Sequence, residues 1–236
     1  MSKPLGHKSY GSIPHLSSSR LGPGDHRIEA GQERILTEKK RDQYDHIIVQ
    51  EKLDGTNVAV ANVEGRLVPL SRAGYTATSS KFRQHHLFAH WVRENLWRFE
   101  FLQPGERVAG EWLAQAHAIR YRVDDERVFV AFDLMTRHER APYERLLLSA
   151  GDTLCIAPLL HAGDALPVSE ALALLGEHGH HGALDAAEGV VYRCERHGRV
   201  EFMGKHVRES HEPGRLLPEI NGGEAVWNWR PRTRVA

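Results

Sequence analysis

Short strands separated by glycine-containing turns recur in both halves of the chain, and they restrict its fold more than any other feature. Apolar or alternating runs predict strands over residues 46–50, 57–62, 67–70, 107–113, 127–134, 189–194 and 199–204. Helical spacing of apolar residues predicts helices over 81–99, 143–150 and 168–178. Strands joined by tight turns pair antiparallel. The sequence therefore predicts the α+β class, with mostly antiparallel sheets flanked by helices.

The two ends of the chain differ from this pattern. Residues 6–31 are rich in Gly, Ser, Pro and His, so we expect residues 1–45 to form an irregular lead-in. Residues 46–210 would form the folded domain, and residues 211–236 a basic C-terminal tail with no folded element. A length of 236 residues suits one domain with appendages better than two independent domains.

Composition narrows the classes of function. Basic and acidic side chains number 31 each, so binding to nucleic acid by bulk charge is excluded. The charge is nevertheless uneven, because residues 101–190 carry 7 basic and 14 acidic side chains while both flanks have a basic surplus. The flanks can therefore supply cations, and the middle carboxylates, to one site. Solvated faces of different sign would give the same pattern.

The cysteines and the N-terminal residues indicate the compartment. Cys155 and Cys194 have no C-x-x-C spacing, so a disulfide framework is not expected and a reducing compartment is. The first ten residues contain no apolar segment typical of a signal peptide. No stretch reaches the roughly 18 apolar residues that span a bilayer. We expect a cytoplasmic protein with no membrane partner.

The segment Glu-Lys-Leu-Asp-Gly-Thr-Asn at 51–57 is the most informative motif. It places Lys52 at the end of a strand, two residues before an Asp-Gly turn. A lysine in a partly dry pocket beside other cations loses its charge and becomes a nucleophile. Gly55 would allow a ligand to approach the backbone. A surface lysine before an ordinary turn would have the same letters, because short motifs also occur by chance.

Five further elements follow in order along the chain, each with a polar residue at the end or inner face of a predicted strand. They are Ser-Arg ending at Arg72, Gly-Glu-Trp around Glu111, Phe132-Asp133, Glu188 before Gly-Val-Val-Tyr, and Gly-Lys-His-Val-Arg from Gly204 to Arg208. Polar side chains at such positions are usually not solvated surface residues. The ordered set is therefore much more specific than any single element.

With these six elements the chain resembles the covalent nucleotidyltransferases, which include polynucleotide ligases and capping enzymes. Within them it is most similar to ATP-dependent RNA ligases of the RNA ligase 2 type, from about residue 47 to residue 208. The resemblance implies a nucleotidyltransferase (ATP-grasp-like ligase) domain in which Lys52 attacks the α-phosphate of ATP and forms lysyl-AMP. AMP would then pass to an RNA 5′-phosphate, and an RNA 3′-hydroxyl would displace it.

The same resemblance implies roles for the other motif residues. Arg72 and Glu111 would contact the ribose, and Phe132 would stack on the adenine. Glu188 would hold Mg²⁺ or Mn²⁺ near the α-phosphate. Phosphoryl-type transfer depends on positioning and charge neutralisation, which suits cations on the phosphates and carboxylates on the metal.

Lys205 would contact the α-phosphate and act catalytically beside Lys52. As a second cation it is expected to lower the pKa of Lys52. The rest of the predicted nucleotide-binding set consists of Glu51, Asp54, Gly55 and Arg208.

The chain departs from this family pattern in three places. Asp54 stands where many RNA ligase 2 relatives have His. Met203 and Val207 occupy the two possible slots of a second lysine, so Arg208 or His206 would have to supply that cation. Only 31 residues follow Lys205, so we expect no C-terminal OB-fold domain, which disfavours DNA ligases and capping enzymes. The alternatives are a nick-sealing DNA ligase without that domain, or a non-catalytic nucleotide- or RNA-binding module of the same fold.

Overall fold

The computed structural model describes residues 3–231, and its strands form two sheets. The strands are β1 (Asp45–Lys52), β2 (Thr56–Val63), β3 (Arg66–Ser71), β4 (Glu106–Trp112), β5 (Phe129–Thr136), β6 (Glu139–Arg140), β7 (Cys155–Ile156), β8 (Leu159–Gly163), β9 (Gly189–Arg196) and β10 (Arg199–Val207). The helices are α1 (Ala30–Thr37), α2 (Arg83–Glu94), α3 (Tyr143–Ala150), α4 (Val168–Leu175) and α5 (Pro218–Asn221). The predicted α+β class is confirmed. None of the helices within residues 3–231 has the length and apolar character needed to cross a bilayer.

The order of the strands places the Lys-x-Asp-Gly motif between the sheets. One sheet has the order β10-β9-β1-β8, and the other has β3-β2-β4-β5-β6 with β7 beside β5. All neighbours pair antiparallel except β5 and β7. The chain leaves the four-stranded sheet at Lys52 and enters the six-stranded sheet at Thr56. Residues 53–55 therefore form the crossover between the sheets.

Each sheet has its own core. Beneath the six-stranded sheet, Phe88 and Trp91 of α2 pack with Trp112 and Phe129, whose ring centroids lie 5.4–5.7 Å from theirs. The predicted helix over 81–99 ends earlier, at Glu94, and a short 3₁₀ turn, Leu96–Phe99, follows it. The aromatic pairs meet in tilted arrangements and add ring–ring attraction to the area that they bury.

The prediction of an irregular lead-in is wrong for residues 30–37, which form α1. The extended residues before α1 pack along β10, where Leu16 N–H donates to Lys205 O at 2.8 Å and Lys205 N–H to Pro14 O at 2.9 Å. Leu16 and Leu36 are fully buried in the core of the four-stranded sheet. Isolated apolar residues among Gly and Ser show no helical or strand periodicity in the sequence. Only the packed structure therefore reveals that these residues belong to the core.

The tail also contains structure that was not predicted. Helix α5 lies in it, and Trp229 packs against Trp112 with ring centroids 5.4 Å apart. The backbone N–H of Asn228 donates to Ala114 O at 2.9 Å. The last five residues of the predicted basic tail, 232–236, lie outside the described residues. The domain boundaries at residues 45 and 210 stay a prediction.

Candidate active site

A cavity of about 870 Å³ opens between the two sheets. Seven of the predicted site residues line it: Glu51, Lys52, Gly55, Arg72, Glu111, Phe132 and Lys205. Its volume falls within the range for small-molecule sites. The structure therefore brings most of the predicted set together around one space, although these residues come from four strands and from the turns at residues 55 and 72.

Lys52 forms an ion pair at the end of β1. Its Nζ lies 2.7 Å from Glu188 Oε2, and the two side chains are 22% and 8% exposed. The pairing of Lys52 with Gly189 across β1 and β9 brings Glu188 beside the lysine. The register of β1 and β9 thus brings together two residues that lie 136 positions apart in sequence.

The pKa of Lys52 is not lowered overall, contrary to the expectation. Burial does lower the pKa of the Lys52 ammonium, but the nearby carboxylates of Glu188 and Glu111 outweigh it, and the net pKa is raised. The pKa of Lys205 itself is lowered, by burial and then by Lys52. Carboxylates dominate around the lysine because three of them, including Asp54, face it from separate elements.

Glu111 faces the cavity from β4 and accepts a hydrogen bond from Gly55 N–H at 3.1 Å. Burial raises the pKa of Glu111 to about 8, although the positive charge of Lys52 acts to lower it. A side chain at residue 55 would place Cβ 2.7 Å from Trp112 O and 2.9 Å from Leu113 Cδ2. Glycine is therefore required for the close approach of the crossover to β4, in addition to lining the cavity.

Asp54 does not line the main cavity. Its Oδ2 accepts hydrogen bonds from the backbone N–H groups of Ala118 and Ile119, at 2.6 and 2.9 Å. Its Oδ1 lies 3.8 Å from His211 Nε2, a buried residue of the predicted tail. Sequence reasoning missed His211, because no motif surrounds it.

Lys205 lines the cavity from β10, with its Nζ 3.9 Å from Asp25 Oδ1 of the lead-in. Asp25 accepts a hydrogen bond from Gly22 N–H at 2.9 Å and lies 3.1 Å from His15 Nε2. His15 is fully buried, and its neighbours on the lead-in carry the backbone bonds to β10. The lead-in therefore positions the cationic end of Lys205, a role that the sequence pattern did not indicate.

Neither predicted source of a second cation lines the cavity, and the inclusion of Arg208 in the nucleotide-binding set stays a prediction. The Arg208 guanidinium donates to Gly176 O and Glu177 O, at 2.5 and 3.3 Å, beyond the end of α4. His206 lies 3.2 Å from Ser18 Oγ. Side chains alternate across a strand, so His206 must face away from Lys205. Met203, on the same face as Lys205, lines the cavity instead.

Phe132 is held from behind by a buried polar network. The Tyr10 ring packs edge-on against it, with centroids 5.1 Å apart, and Tyr10 O–H donates to Asp133 Oδ2 at 2.5 Å. Asp133 also pairs with Arg193 and with Arg140, and is fully buried. Asp133 is therefore occupied in positioning its neighbours, while Phe132 lines the cavity.

The remaining two predicted residues lie at the edge of the site. Arg72 is exposed, and its guanidinium donates to Gly11 O at 3.3 Å. Glu51 is buried and accepts a hydrogen bond from His180 N–H at 2.7 Å. Burial raises the pKa of Glu51. Its carboxylate therefore supports the loop around His180, and Arg72 forms the rim of the cavity.

The comparison with protein families decides the classification of the chain, because the family model described as RNA ligase matches residues 45–207. The chain belongs to the RNA ligase family. Among curated proteins, none matches this RNA ligase family member.

Solved structures of RNA ligases share its fold. A Naegleria gruberi RNA ligase variant with ATP and Mn has a TM-score of 0.54 and 15% identity, over 89% of this chain and 61% of that one. A second variant from the same organism, also with ATP and Mn, has a TM-score of 0.53 and 17% identity, over 85% and 62%. An archaeal ATP-dependent RNA ligase has a TM-score of 0.49 and 21% identity, over 84% and 48%. This RNA ligase family member thus spans about half to three fifths of the length of these structures. The two Naegleria gruberi structures confirm the predicted nucleotidyltransferase fold.

Proposed function

We propose that this protein is an ATP-dependent RNA ligase that works through adenylylation of Lys52. The observation that carries the proposal is the convergence of Lys52, Glu111 and Lys205 at one cavity between two sheets, with Glu188 paired to Lys52. A lysine surrounded by carboxylates and facing a second lysine has the groups that a nucleotide phosphate and its counter-ion require. Membership of the RNA ligase family, and RNA ligases of the same fold in complex with ATP and Mn, support this assignment.

In the first step, Lys52 Nζ forms a bond to the α-phosphorus of ATP, and the bond to pyrophosphate breaks. Lys205 offsets the charge of the α-phosphate, and Phe132 presents a stacking face to the adenine. Glu111 and Arg72 are placed for the ribose, on the wall and the rim of the same cavity. Because the Lys52 ammonium is stabilised by Glu188, it must lose a proton before it can attack.

The next steps transfer AMP to RNA. An oxygen of the RNA 5′-phosphate attacks the phosphorus of lysyl-AMP, and Lys52 leaves. An RNA 3′-hydroxyl then attacks the 5′-phosphate and displaces AMP, which joins the two ends. A cytoplasmic location fits this activity and the two free cysteines, Cys155 and Cys194.

The residues present fit a divalent cation. Lys52 takes one oxygen of Glu188, at 2.7 Å, which leaves Glu188 Oε1 on the side of Asp54 and His211. A cation bound to these carboxylates, Mg²⁺ or Mn²⁺, would offset their charge and so lower the pKa of the Lys52 ammonium. Glu188 and Asp54 are the residues that would hold it.

Covalent labelling tests the first step. The protein is incubated with α-labelled ATP and Mg²⁺ or Mn²⁺, and protein-bound AMP is measured after denaturation. We expect label on the wild-type chain and on Lys39→Ala, which changes an exposed lysine, and none on Lys52→Ala. Absence of label with each of the four nucleoside triphosphates would overturn the proposal.

Substrate competition tests the choice of nucleic acid. RNA and DNA duplexes with a 5′-phosphate nick, and single-stranded RNA, are offered together, and joined products are separated by size. We expect RNA to be joined preferentially. Preferential joining of DNA would favour the nick-sealing alternative, and saturable ATP binding without release of pyrophosphate would favour the non-catalytic module.

A further inference from the structure

The imidazole of His211 is buried beside the ion pair and has no hydrogen-bond partner for its Nε2 within residues 3–231. The residue is 6% exposed, and its backbone N–H donates to Arg208 O at 3.1 Å, so the ring has a defined position just after β10. Its Nε2 lies 3.7 Å from Glu188 Oε1 and 3.8 Å from Asp54 Oδ1. Nearly all buried polar atoms in proteins have a partner, so an orphaned nitrogen aimed at two carboxylates points to a missing ligand.

The two distances are too long for hydrogen bonds, but they suit donors that share one ion. Ligand atoms bound to a cation at about 2.1 Å can be no more than about 4.2 Å apart. The donor atoms of Asp54, Glu188 and His211 all lie within 4.8 Å of one another, and all three residues are buried. Side-chain shifts of a few tenths of an ångström would therefore bring them onto one ion.

The carboxylates are already oriented for this purpose. Asp54 commits Oδ2 to the N–H groups of Ala118 and Ile119 and leaves Oδ1 towards His211. Glu188 commits Oε2 to Lys52 and leaves Oε1 towards the same nitrogen. Such outer hydrogen bonds orient the ligands of metal sites and tune their affinity.

We propose that His211 is a third side-chain ligand of the divalent cation, with Asp54 and Glu188, and that its imidazole makes the site favour Mn²⁺ over Mg²⁺. Magnesium prefers oxygen donors and keeps several waters, whereas Mn²⁺, a first-row transition metal, accepts imidazole nitrogen more readily than Mg²⁺ does. The inference rests on the proposed function in one respect only, which is the role that it gives the cation beside Lys52. The binding itself requires neither ATP nor RNA.

A smaller cavity, of about 270 Å³, lies beside His211. It is lined by His211 and by Ala118 and Ile119, the residues whose backbone holds Asp54. His211 does not line the larger cavity between the sheets. His211 thus borders a different cavity from the one that a nucleotide would fill.

Manganese binding to the full chain without nucleotide tests the proposal. Free Mn²⁺ is measured by its electron paramagnetic resonance signal during titration, and Mg²⁺ affinity by competition. We expect one site in the wild-type chain. His211→Asn should weaken Mn²⁺ binding by about tenfold or more and Mg²⁺ binding by less than about threefold. His138→Gln, which changes an exposed histidine in the turn between β5 and β6, should leave both affinities unchanged.

A spectroscopic signature separates ligation from indirect effects. Electron spin echo modulation from ¹⁴N should appear on bound Mn²⁺ in the wild-type chain and disappear in His211→Asn. Circular dichroism and thermal unfolding in the presence of a chelator establish that this variant is folded. Absence of nitrogen modulation in the wild-type chain, or an equal loss of Mn²⁺ and Mg²⁺ affinity in the variant, would overturn the inference.

The Lys52→Ala variant separates this inference from the proposed function. It should take no AMP label but should keep the Mn²⁺ site with its nitrogen signal, because the lysine competes for Glu188 and does not ligate the cation. A wild-type chain that binds Mn²⁺ through nitrogen but is never labelled would contradict the ligase proposal alone. A labelled chain without the nitrogen signal would contradict the His211 inference alone.

Discussion

Glu111 shows how burial can oppose a nearby cation. Burial raises the pKa of its carboxyl from 4.5 to about 8, although Lys52 acts to lower that pKa. The neutral form is therefore favoured in the folded chain, and the unfolded chain titrates near the ordinary value. The stabilising contribution of this group is complete below about pH 4.5, and it is lost as the pH rises towards 8.

The first prediction concerns the pH dependence of stability. In Glu111→Gln the amide oxygen can still accept the hydrogen bond from Gly55 N–H, but the side chain at this position no longer titrates. We expect its free energy of unfolding to exceed that of the wild-type chain by about 1–2 kcal/mol at pH 9, since one unit of pKa shift corresponds to about 1.4 kcal/mol and Glu111 is partly exposed. At pH 5 the difference should be small. Urea denaturation at both pH values measures it, with Glu126→Gln as an exposed control, and equal differences would contradict the assignment.

The second prediction concerns the nucleophile. Because the pKa of the Lys52 ammonium is raised by its carboxylate neighbours, the neutral amine is the minor form near pH 7. We expect the single-turnover rate of AMP labelling to rise with pH between 6 and 9, by up to about tenfold per unit. Rapid quenching with labelled ATP at saturating cation measures the rate. A flat profile over this range would show that deprotonation of Lys52 does not limit the reaction.

At the scale of elements, the lead-in completes the edge of the four-stranded sheet. It pairs with β10 through the backbone of Leu16 and Lys205, and its apolar side chains cover Gly204. A Cβ at Gly204 would lie 2.8 Å from Leu16, 3.1 Å from Leu36 and 3.3 Å from Ile28. The lead-in thus packs directly on the strand that carries Lys205, so its loss would affect both folding and the site.

The third prediction follows from this packing. Leu16→Ala should lower the free energy of unfolding by about 2–4 kcal/mol, because Leu16 is fully buried and its removal leaves a cavity. Leu21→Ala, at a leucine that is 41% exposed in the same segment, should change it by less than about 0.5 kcal/mol. Chemical denaturation compares the two variants. If the lead-in only covered the nucleotide, both substitutions would change the free energy of unfolding by equally small amounts.

At the scale of the whole molecule, one buried ion pair joins the two sheets. Arg193 of β9 pairs with Asp133 of β5 and also donates to Phe132 O at 3.1 Å and Ala141 O at 3.2 Å. Tyr10 of the lead-in donates to the same Asp133. These bonds hold the sheets together behind Phe132, at one wall of the cavity. The site therefore depends on the relation between the sheets as well as on its own residues.

The fourth prediction tests this connection. Arg193→Met should lower the free energy of unfolding by about 3–5 kcal/mol, because it leaves Asp133 buried with one cation fewer. The double variant with Asp133→Asn should lose less than the sum of the two single changes. Arg66→Met, which changes an exposed arginine on β3, is the control. Additive losses in the double-mutant cycle would show that the pair does not couple the sheets.

The sequence by itself determined the local features of this protein. Tyr143–Ala150 forms a helix within the predicted bounds, and β2 and β3 pair as the predicted hairpin. Periodicity and turn chemistry act over a few residues, so they can be recognised without a partner. The Lys-x-Asp-Gly segment and the ordered elements after it also identified the RNA ligase family, which the family match over residues 45–207 confirms.

Only the tertiary structure decided which side chains meet. It turned Arg208 towards Gly176, surrounded Lys52 with carboxylates and brought His211 to Asp54 and Glu188. The short strand β8 pairs with β1 and was not predicted. Direction, burial and charge state depend on neighbours far along the chain, as with Lys52 and Glu188, 136 residues apart. No local pattern records such neighbours, because the packing of the two sheets creates them.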